Sequence, residues 1–324
     1  MMNLEHFWER MLSEEAESVR KAWQGLDREE RLAVRDFLAN AMSDEGRLDA
    51  QRRAAAFALA VVETPPAGAL DFARSLAGQV GRRLMVSSGN FSVSTKMDGT
   101  LVTTLDIETS LELCKNLLER FPDHGVLSEE HNTVFQGDEW CWVIDPIDGT
   151  TNFAAGFPIW GILIGLLHFG KPMMGVAEFP WLGYQFHAVT GRGACLNDAG
   201  IHAARAVDFT ATDLFAICSR TAKLGVLPIP CKIRAPGSMG FEIASVACGY
   251  CVGNLGRSVH VWDVAAVWPM LHEAGAIAVT TVSEGLFPLR AGVDYAKVEF
   301  AVMSACTPEL MRQAQSRLGD FFGG

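Results

Sequence analysis

Two aspartates lie three residues apart at the end of an apolar segment, WCWVIDPIDGTTNF at positions 140–153. The run up to Ile144 predicts a buried strand. Pro146 is expected to end its pairing, so that Asp145 and Asp148 emerge at the carboxyl edge of a sheet, where α/β proteins bind ligands. Two carboxylates this close repel each other, and a hard divalent cation with oxygen ligands would relieve the repulsion. The spacing therefore predicts metal binding, with helix capping by one aspartate as the plain alternative.

The residues after these aspartates predict an anion site beside the metal. Gly149 lets the backbone approach a ligand closely. Thr150 and Thr151 begin a predicted helix, whose unpaired N–H groups favour a phosphate. Metal ligands and a phosphate cradle are thus expected side by side.

Three further acidic positions could complete the cluster. Asp106 follows the segment LVTTL, Glu129 ends a predicted strand that begins at Gly125, and Asp263 opens a predicted helix. Taken singly, each of them is more often a helix cap or a solvated residue than a metal ligand. Their role therefore depends on whether the fold brings them together.

The composition of the 324-residue chain limits its partners. It is 49% hydrophobic and 20% charged, which predicts a folded protein with a substantial core. The net charge of −11 disfavours nucleic acid or an anionic membrane, because neither attracts an acidic surface. An acidic protein that handles an anionic substrate needs a local positive centre, which a bound metal would supply.

The sequence also predicts a cytoplasmic protein. Its first residues show no secretory signal, and the longest central apolar run, 159–167, is too short to span a bilayer. Most of the eight cysteines lie singly in apolar segments, as reduced thiols do. Cys248 and Cys251 form a C-x-x-C pair. They end an apolar run typical of a buried helix, so packing is favoured over redox chemistry.

The elements that must position these residues fall into three predicted parts. Residues 1–66 form a helical module with three helices, in which Asp27 and Glu30 make a capping box. Residues 67–204 are the half that binds metal and phosphate, and residues 205–324 supply the last metal ligand and the substrate pocket. From residue 67 onward strands and helices mix, which predicts an α/β (α+β) layered fold. Helices are expected at 72–84, 106–121, 238–250 and 264–274.

Four stretches together resemble the inositol monophosphatase-like family of lithium-sensitive, Mg²⁺-dependent sugar phosphatases. They are KMDGTLVTTLD at 96–106, FPDHGVLSEE at 121–130, DPIDGTTNF at 145–153 and WDVAA at 262–266. The likeness extends over about residues 67–320. It implies an alternating αβαβα sandwich, usually a homodimer, that hydrolyses a small phosphate monoester.

The resemblance also implies a set of metal ligands. Glu129, Asp145 and the carbonyl of Ile147 would hold one Mg²⁺. Asp145, Asp148 and Asp263 would hold a second, with Asp145 bridging, and Glu129 would help to hold a third, weaker ion. A pair of such ions activates water and neutralises the leaving oxygen of an ester.

The remaining implied roles concern phosphate, water and substrate. Gly149 and Thr150 would bind phosphate through backbone N–H groups, and Thr150, hydrogen-bonded to Asp106, would orient the attacking water. Ser238 and Arg257 are predicted substrate contacts. For Arg257 a solvated loop arginine is an equal alternative.

Two positions depart from the family pattern. Ser128 replaces the glycine usual before the acidic pair, which is tolerable if the local φ is negative. Inositol-specific members carry a glutamate seven residues before the aspartate of the Trp-Asp motif, and Gly256 stands there in this chain. Residues 156–176 also resemble the histidinol-phosphate phosphatase branch. The leaving alcohol therefore stays open among inositol, another sugar or polyol, and an amino alcohol.

Three classes of function follow from these patterns. A Mg²⁺-dependent phosphatase accounts for all of the acidic residues singled out above. This reaction needs no serine or cysteine nucleophile. A protein that keeps the fold and binds a phospholigand without turnover is the alternative of another class. Thiol redox chemistry through Cys248 and Cys251 is the third.

Overall fold

The computed structural model describes residues 4–87, 92–95 and 101–322. The chain forms two compact units that divide between Pro66 and Ala67. The first part of the motif KMDGTLVTTLD, residues 96–100, lies outside the described residues. The further division at residue 204 stays a prediction. No helix in the described ranges has the length and apolar character needed to cross a membrane.

The first unit contains four helices within residues 4–62, where the sequence predicts three: α1 (Leu4–Met11), α2 (Ala16–Gln24), α3 (Arg28–Ser43) and α4 (Asp49–Val62). The additional helix is α2. Its buried residues Val19, Ala22 and Trp23 have the i, i+3, i+4 spacing of a helix, a pattern that the sequence interpretation overlooked. The capping box ahead of α3 is confirmed. The Asp27 side chain accepts the N–H of Glu30 at 2.9 Å, and Glu30 accepts the N–H of Asp27 at 2.9 Å.

The second unit is built on two large sheets. A seven-stranded sheet has the order β3-β4-β5-β6-β7-β8-β9, in which β3 and β4 are parallel and the other neighbours antiparallel. Its strands are β3 (Gly125–Ser128), β4 (Trp140–Asp148), β5 (Gly161–His168), β6 (Lys171–Phe179), β7 (Tyr184–Val189), β8 (Ala194–Leu196) and β9 (Ala199–Gly200). A hairpin of β1 (Val93–Thr95) and β2 (Leu101–Thr103) precedes it.

The second large sheet has five strands in the order β11-β10-β12-β14-β13. They are β10 (Leu214–Ile217), β11 (Lys232–Arg234), β12 (Gly253–Val259), β13 (Ile277–Thr280) and β14 (Phe300–Ala305). The segment before the Trp-Asp motif is therefore strand β12, with a bulge between Gly256 and Val259, and Arg257 lies in a strand instead of a loop. The sequence pattern did not predict β12, because its glycines and polar residues do not alternate with apolar ones.

Helices cover both faces of the sheets. They are α5 (Ala69–Ser87), α6 (Thr104–Arg120), α7 (Thr150–Ala154), α8 (Ser219–Ala222), α9 (Met239–Ala247), α10 (Val261–Ala265), α11 (Trp268–Glu273) and α12 (Pro308–Phe322). Helices α5 and α6 pack on one face of the seven-stranded sheet, α9 to α11 lie between the two sheets, and α12 packs on β13 and β14. The predicted α/β layered fold with helices at the N-terminus is confirmed.

The helix expected at residues 264–274 is split into α10 and α11. Pro269 occupies the first turn of α11, and proline provides no N–H to continue a helix from the preceding turn. The split keeps α10 short. Asp263 of the Trp-Asp motif lies in the first turn of α10, near a helix start as predicted.

Candidate active site

The end of strand β4 brings two aspartates to one place. The prediction that Pro146 ends the pairing is wrong, because β4 continues to Asp148 and pairs with β5 as far as Gly161. Asp145 pairs with Leu163 and Asp148 pairs with Gly161, so β4 carries one extra residue, a bulge. Side chains three residues apart on a regular strand face opposite sides. The bulge allows Asp145 and Asp148 to face the same cluster.

A third carboxylate joins them from another element. Asp263 lies in the first turn of α10, and the N–H of His260 donates to its Oδ2 at 2.7 Å. One carboxylate oxygen from each of Asp145, Asp148 and Asp263 lies within 4.8 Å of the others. The capping alternative and the metal-ligand prediction are therefore compatible for Asp263, since one of its oxygens caps the helix.

Asp148 is held by the N-terminus of α9. The Ser238 hydroxyl donates to Oδ2, and the N–H groups of Met239 and Gly240 donate to Oδ1 and Oδ2 at 2.9 and 2.8 Å. Burial raises the pKa of Asp148 to about 6, although these donors act in the opposite direction. Ser238, the N-cap residue of α9, therefore binds Asp148 directly.

Burial and the repulsion between neighbouring carboxylates both disfavour negative charge in the cluster. Burial, with Glu129 as the largest charged contribution, raises the pKa of Asp145 and of Asp263 well above the ordinary range. Three carboxylates this close together are costly without positive charge between them. The donor set consists of oxygens alone, which fits a hard divalent cation such as Mg²⁺.

Glu129 follows β3, and its N–H donates to the carbonyl of Ile144 at 3.3 Å. Its neighbour Ser128 is not among the residues with positive φ, so serine is tolerated in place of glycine there. The Ser128 hydroxyl shares a hydrogen bond of 2.7 Å with that of Ser110. Parallel pairing of β3 with β4 brings Glu129 to the edge where Asp145 lies.

These residues line one cavity of about 390 Å³. The predicted site residues in its wall are Glu129, Asp145, Ile147, Asp148, Gly149, Thr150, Arg257 and Asp263. Asp106 and Ser238 lie behind the wall and hydrogen-bond to Thr150 and Asp148. The fold has thus collected, from six separate segments, the residues that the sequence singled out.

The turn after β4 requires glycine. Gly149 has φ +90°, a conformation that residues with a side chain rarely adopt. A Cβ there would also lie 3.1 Å from the carbonyl oxygen of Gly237 and 3.2 Å from that of Ile159. The turn leads directly into α7, as predicted.

Thr150 connects the turn to Asp106. Its Oγ1 lies 3.1 Å from Asp106 Oδ1 and 3.0 Å from the carbonyl of Ile147. The N–H and hydroxyl of Thr103 donate to Asp106 Oδ2 at 2.7 and 2.5 Å. Burial raises the pKa of Asp106, and the Thr103 donors oppose that rise. Asp106 therefore caps α6 with one oxygen and reaches Thr150 with the other.

Arg257 is engaged by the chain itself. Its Nη1 donates to the carbonyl of Phe321 at 2.8 Å, and its N–H donates to Cys218 Sγ at 3.2 Å. The Cys248–Cys251 pair closes α9, as the packing interpretation expects, and both thiols are free.

Sequence reasoning missed other residues in the cavity wall. They are Cys218, Ser219, Arg220, Met239, Glu242 and His260. Glu242 gave a signal that could have found it, because it is the one charged residue in the apolar run FEIASVA. Arg220 is tied to Glu299 at 3.0 Å and to the carbonyl of Ser258 at 3.1 Å.

The acidic cluster lies in an α/β layered fold, and comparison with known proteins identifies the family. The sequence profile of the inositol monophosphatase family matches residues 68–317. The chain belongs to the inositol monophosphatase family. The resemblance predicted from the motifs is confirmed.

Named relatives agree with this assignment. The inositol-1-monophosphatase of Synechocystis is 34% identical over 190 residues, 55% of this chain, and the match spans 66% of that relative's length. The histidinol-phosphatase of Chlorobaculum parvum is 30% identical over 215 residues, covering 64% of this chain and 83% of the relative. Both names denote phosphatases, so phosphoric monoester hydrolysis is the enzyme class of this family.

A solved structure supports the fold. The IMPase of Thermotoga maritima superposes with a TM-score of 0.67, covering 78% of this chain and 97% of that one, at 23% identity. At this level of identity the likeness shows the fold alone.

Proposed function

We propose that this protein is a Mg²⁺-dependent phosphatase that hydrolyses a small phosphate monoester. The observation that carries the proposal is the cluster of Asp145, Asp148 and Asp263, with oxygens within 4.8 Å, beside the Thr150–Asp106 hydrogen bond of 3.1 Å. Family membership supports the reaction class.

The proposed metal ligands are Glu129, Asp145, the Ile147 carbonyl, Asp148 and Asp263, for two or three ions. When bound, divalent ions supply the charge that lowers the pKa of a coordinated water and neutralises the leaving oxygen. The buried carboxylates provide the negative charge that selects such ions, and the α9 donors orient Asp148.

The residues of the turn would bind phosphate and orient the attacking water. In this proposal the N–H groups of Gly149 and Thr150 point into the cavity and bind the phosphate oxygens. The Thr150 hydroxyl has one proton, which Asp106 and the Ile147 carbonyl both lie close enough to accept. Donation to Asp106 leaves the Thr150 oxygen as an acceptor for a proton of the water. Asp106 thus fixes the orientation of the Thr150 hydroxyl, and the hydroxyl orients the attacking water.

The leaving alcohol remains a choice among inositol, another sugar or polyol, and an amino alcohol. Gly256 in place of a glutamate argues against myo-inositol phosphate as the preferred substrate. Histidinol phosphate is the alternative, supported by the Chlorobaculum relative. Arg257 lines the cavity and is proposed to meet an anionic or carbonyl group, while Ser238 acts through Asp148.

A phosphate-release screen tests the proposed function. Purified enzyme is assayed with inositol monophosphates, histidinol phosphate, fructose bisphosphate and 3′-phosphoadenosine 5′-phosphate, with and without Mg²⁺ and Li⁺. Release that requires Mg²⁺ and is inhibited by Li⁺ is expected. Tight binding of a phosphate ester without turnover would instead favour the regulatory alternative.

We also propose a cytoplasmic homodimer, on the basis of the family resemblance. Light scattering of the purified chain measures the oligomeric state, and a mass of one protomer would contradict the dimer. The module before residue 67 has no assigned role.

A further inference from the structure

Glu242 is a buried carboxyl on helix α9. Its exposure is 0%, and neither carboxylate oxygen makes a hydrogen bond to any described residue. Unsatisfied buried polar groups are rare, because each costs the desolvation of the group. A carboxyl kept in this state calls for a partner that arrives from outside the chain.

The surroundings of Glu242 place it at the substrate cavity. It belongs to the cavity wall together with Cys218 and Met239. Burial, followed by the nearby Cys218 and Asp148, raises the pKa of Glu242 well above its ordinary value. The Gly237 backbone and the Asn254 amide oppose that rise, although neither attains hydrogen-bond geometry.

Two polar neighbours of Glu242 have other hydrogen-bond partners. Asn254 accepts from the Ser304 hydroxyl at 2.5 Å, and its amide nitrogen lies 3.8 Å from the Met239 sulfur. The Ser245 hydroxyl donates to the backbone carbonyl of Glu242 at 2.6 Å instead of to its carboxyl group. The carboxyl is therefore not part of an internal network of the described residues.

The Met239 side chain packs against position 256, where the family pattern of inositol-specific members has a glutamate. A Cβ on Gly256 would lie 2.4 Å from the Met239 methyl carbon and 2.8 Å from its sulfur. The Met239 side chain thus takes the space next to Gly256. It is half-buried, lines the cavity and precedes Glu242 by three residues, on the same face of α9. Its unbranched thioether can change rotamer to admit a ligand group.

We propose that Glu242 is a specificity-determining residue that binds a hydrogen-bond donor, an O–H or N–H group, on the leaving alcohol of the substrate. The inference rests on the proposed phosphatase function and deepens it. A substrate with such a donor displaces Met239 and pairs with the carboxyl, whereas an aryl phosphate without a donor gains nothing from Glu242. A hydroxyl pairs with the neutral acid, and an ammonium group pairs with the ionised one.

Two variants and three substrates test this inference. Glu242→Leu removes the polar atoms at similar volume, and Glu242→Gln keeps a neutral polar group. Each is assayed with p-nitrophenyl phosphate, with a polyol phosphate such as an inositol monophosphate, and with histidinol phosphate, an amino-alcohol ester. Ser245→Ala, on the same helix, is the matched control and should change no ratio of kcat/KM between substrates.

For Glu242→Leu we expect kcat/KM to fall at least tenfold with the preferred donor-bearing ester and less than twofold with p-nitrophenyl phosphate. Glu242→Gln should keep activity on the polyol ester if a hydroxyl is bound, and should lose it on histidinol phosphate if an ammonium group is bound. The Tm of Glu242→Leu should not fall below that of the wild type, because an unpaired carboxyl is removed.

An equal fall on all three substrates, or no fall on any, would overturn the role of Glu242 while the phosphatase proposal stands. Wild-type enzyme that releases no phosphate from any of them with Mg²⁺ would overturn both.

Discussion

The N–H of Gly240 donates to Asp148 Oδ2 at 2.8 Å, and a Cβ on Gly240 would lie at the same distance, 2.8 Å, from that oxygen. The first turn of α9 can therefore approach the aspartate only because position 240 lacks a side chain. The two residues are 92 positions apart in the sequence. The position of Asp148, a predicted metal ligand, thus depends on Gly240, which lies in a different layer of the fold.

Gly240→Ala should destabilise the protein and weaken its activity. The added methyl would also lie 2.7 Å from Leu163 Cδ2, and overpacking of a filled site costs about 1–3 kcal/mol. Thermal unfolding and kcat/KM measure the two effects. Gly319→Ala in α12 is the matched control, since nothing lies within 4 Å of its Cβ. A Gly240→Ala protein with wild-type Tm and activity would refute the role given to this contact.

Asp145→Asn should separate stability from activity. Asp145 is buried and its neighbours Glu129, Asp148 and Asp263 repel it, so removal of its charge should raise the Tm of the metal-free protein. Hydrolysis should fall on the order of 10²-fold or more, because the cation that stabilises the transition state would lose one of its proposed ligands. Added Mg²⁺ should raise the Tm of the wild type and not that of the variant. Equal Mg²⁺ stabilisation of both proteins would show that Asp145 is not a ligand.

Metal binding should weaken as the pH falls through about 6. Burial raises the pKa of Asp148 from 3.8 to about 6, and a protonated carboxyl does not ligate a cation. In the metal-free protein the ionised form is the unfavourable one, so the contribution of Asp148 to stability increases as the pH falls from 7 to 4. Mg²⁺ titrations followed by Tm at pH 7.5 and pH 5.5 measure the first effect. The second is the difference in Tm between the wild type and Asp148→Asn across the same range. An Mg²⁺ affinity that is the same at both pH values would contradict the prediction.

Thr150→Val should lower kcat with little change in KM for the substrate. Valine keeps the shape of threonine and loses the hydroxyl that contacts Asp106, while the backbone N–H groups of the turn remain. Thr150→Ser restores the hydroxyl and should recover most of the activity. Steady-state kinetics of the two variants decide the matter, and a Thr150→Val enzyme as active as Thr150→Ser would exclude the hydroxyl from the mechanism.

The sequence could indicate most of the candidate site because its motifs are local. Asp145, Asp148, Gly149 and Thr150 lie in one short stretch, where spacing and turn chemistry can be interpreted without knowledge of distant contacts. Gly149 was identified as a turn glycine, and its φ of +90° agrees. Helical periodicity likewise located α3 and α5, which are long and have one clearly apolar face.

Where the sequence interpretation failed, a non-local or marginal effect decided the outcome. Pro146 does not end β4, because a bulge accommodates it and the pairing with β5 continues. The helix at 264–274 is split at Pro269. The strand β12 exists because its backbone pairs with β10 and β14, which its own residue pattern does not reveal.

The amino-acid sequence by itself determined the chemical groups available to this protein: carboxylates, a glycine turn and a threonine at spacings that suit metal and phosphate. Only the tertiary structure decided that Asp263 meets Asp145 and Asp148, that Asp148 is held by α9, and that Glu242 lies unpaired at the cavity. The physical reason is that side-chain types and short spacings are properties of a few consecutive residues. Convergence and burial instead depend on the packing of two sheets and the helices between them.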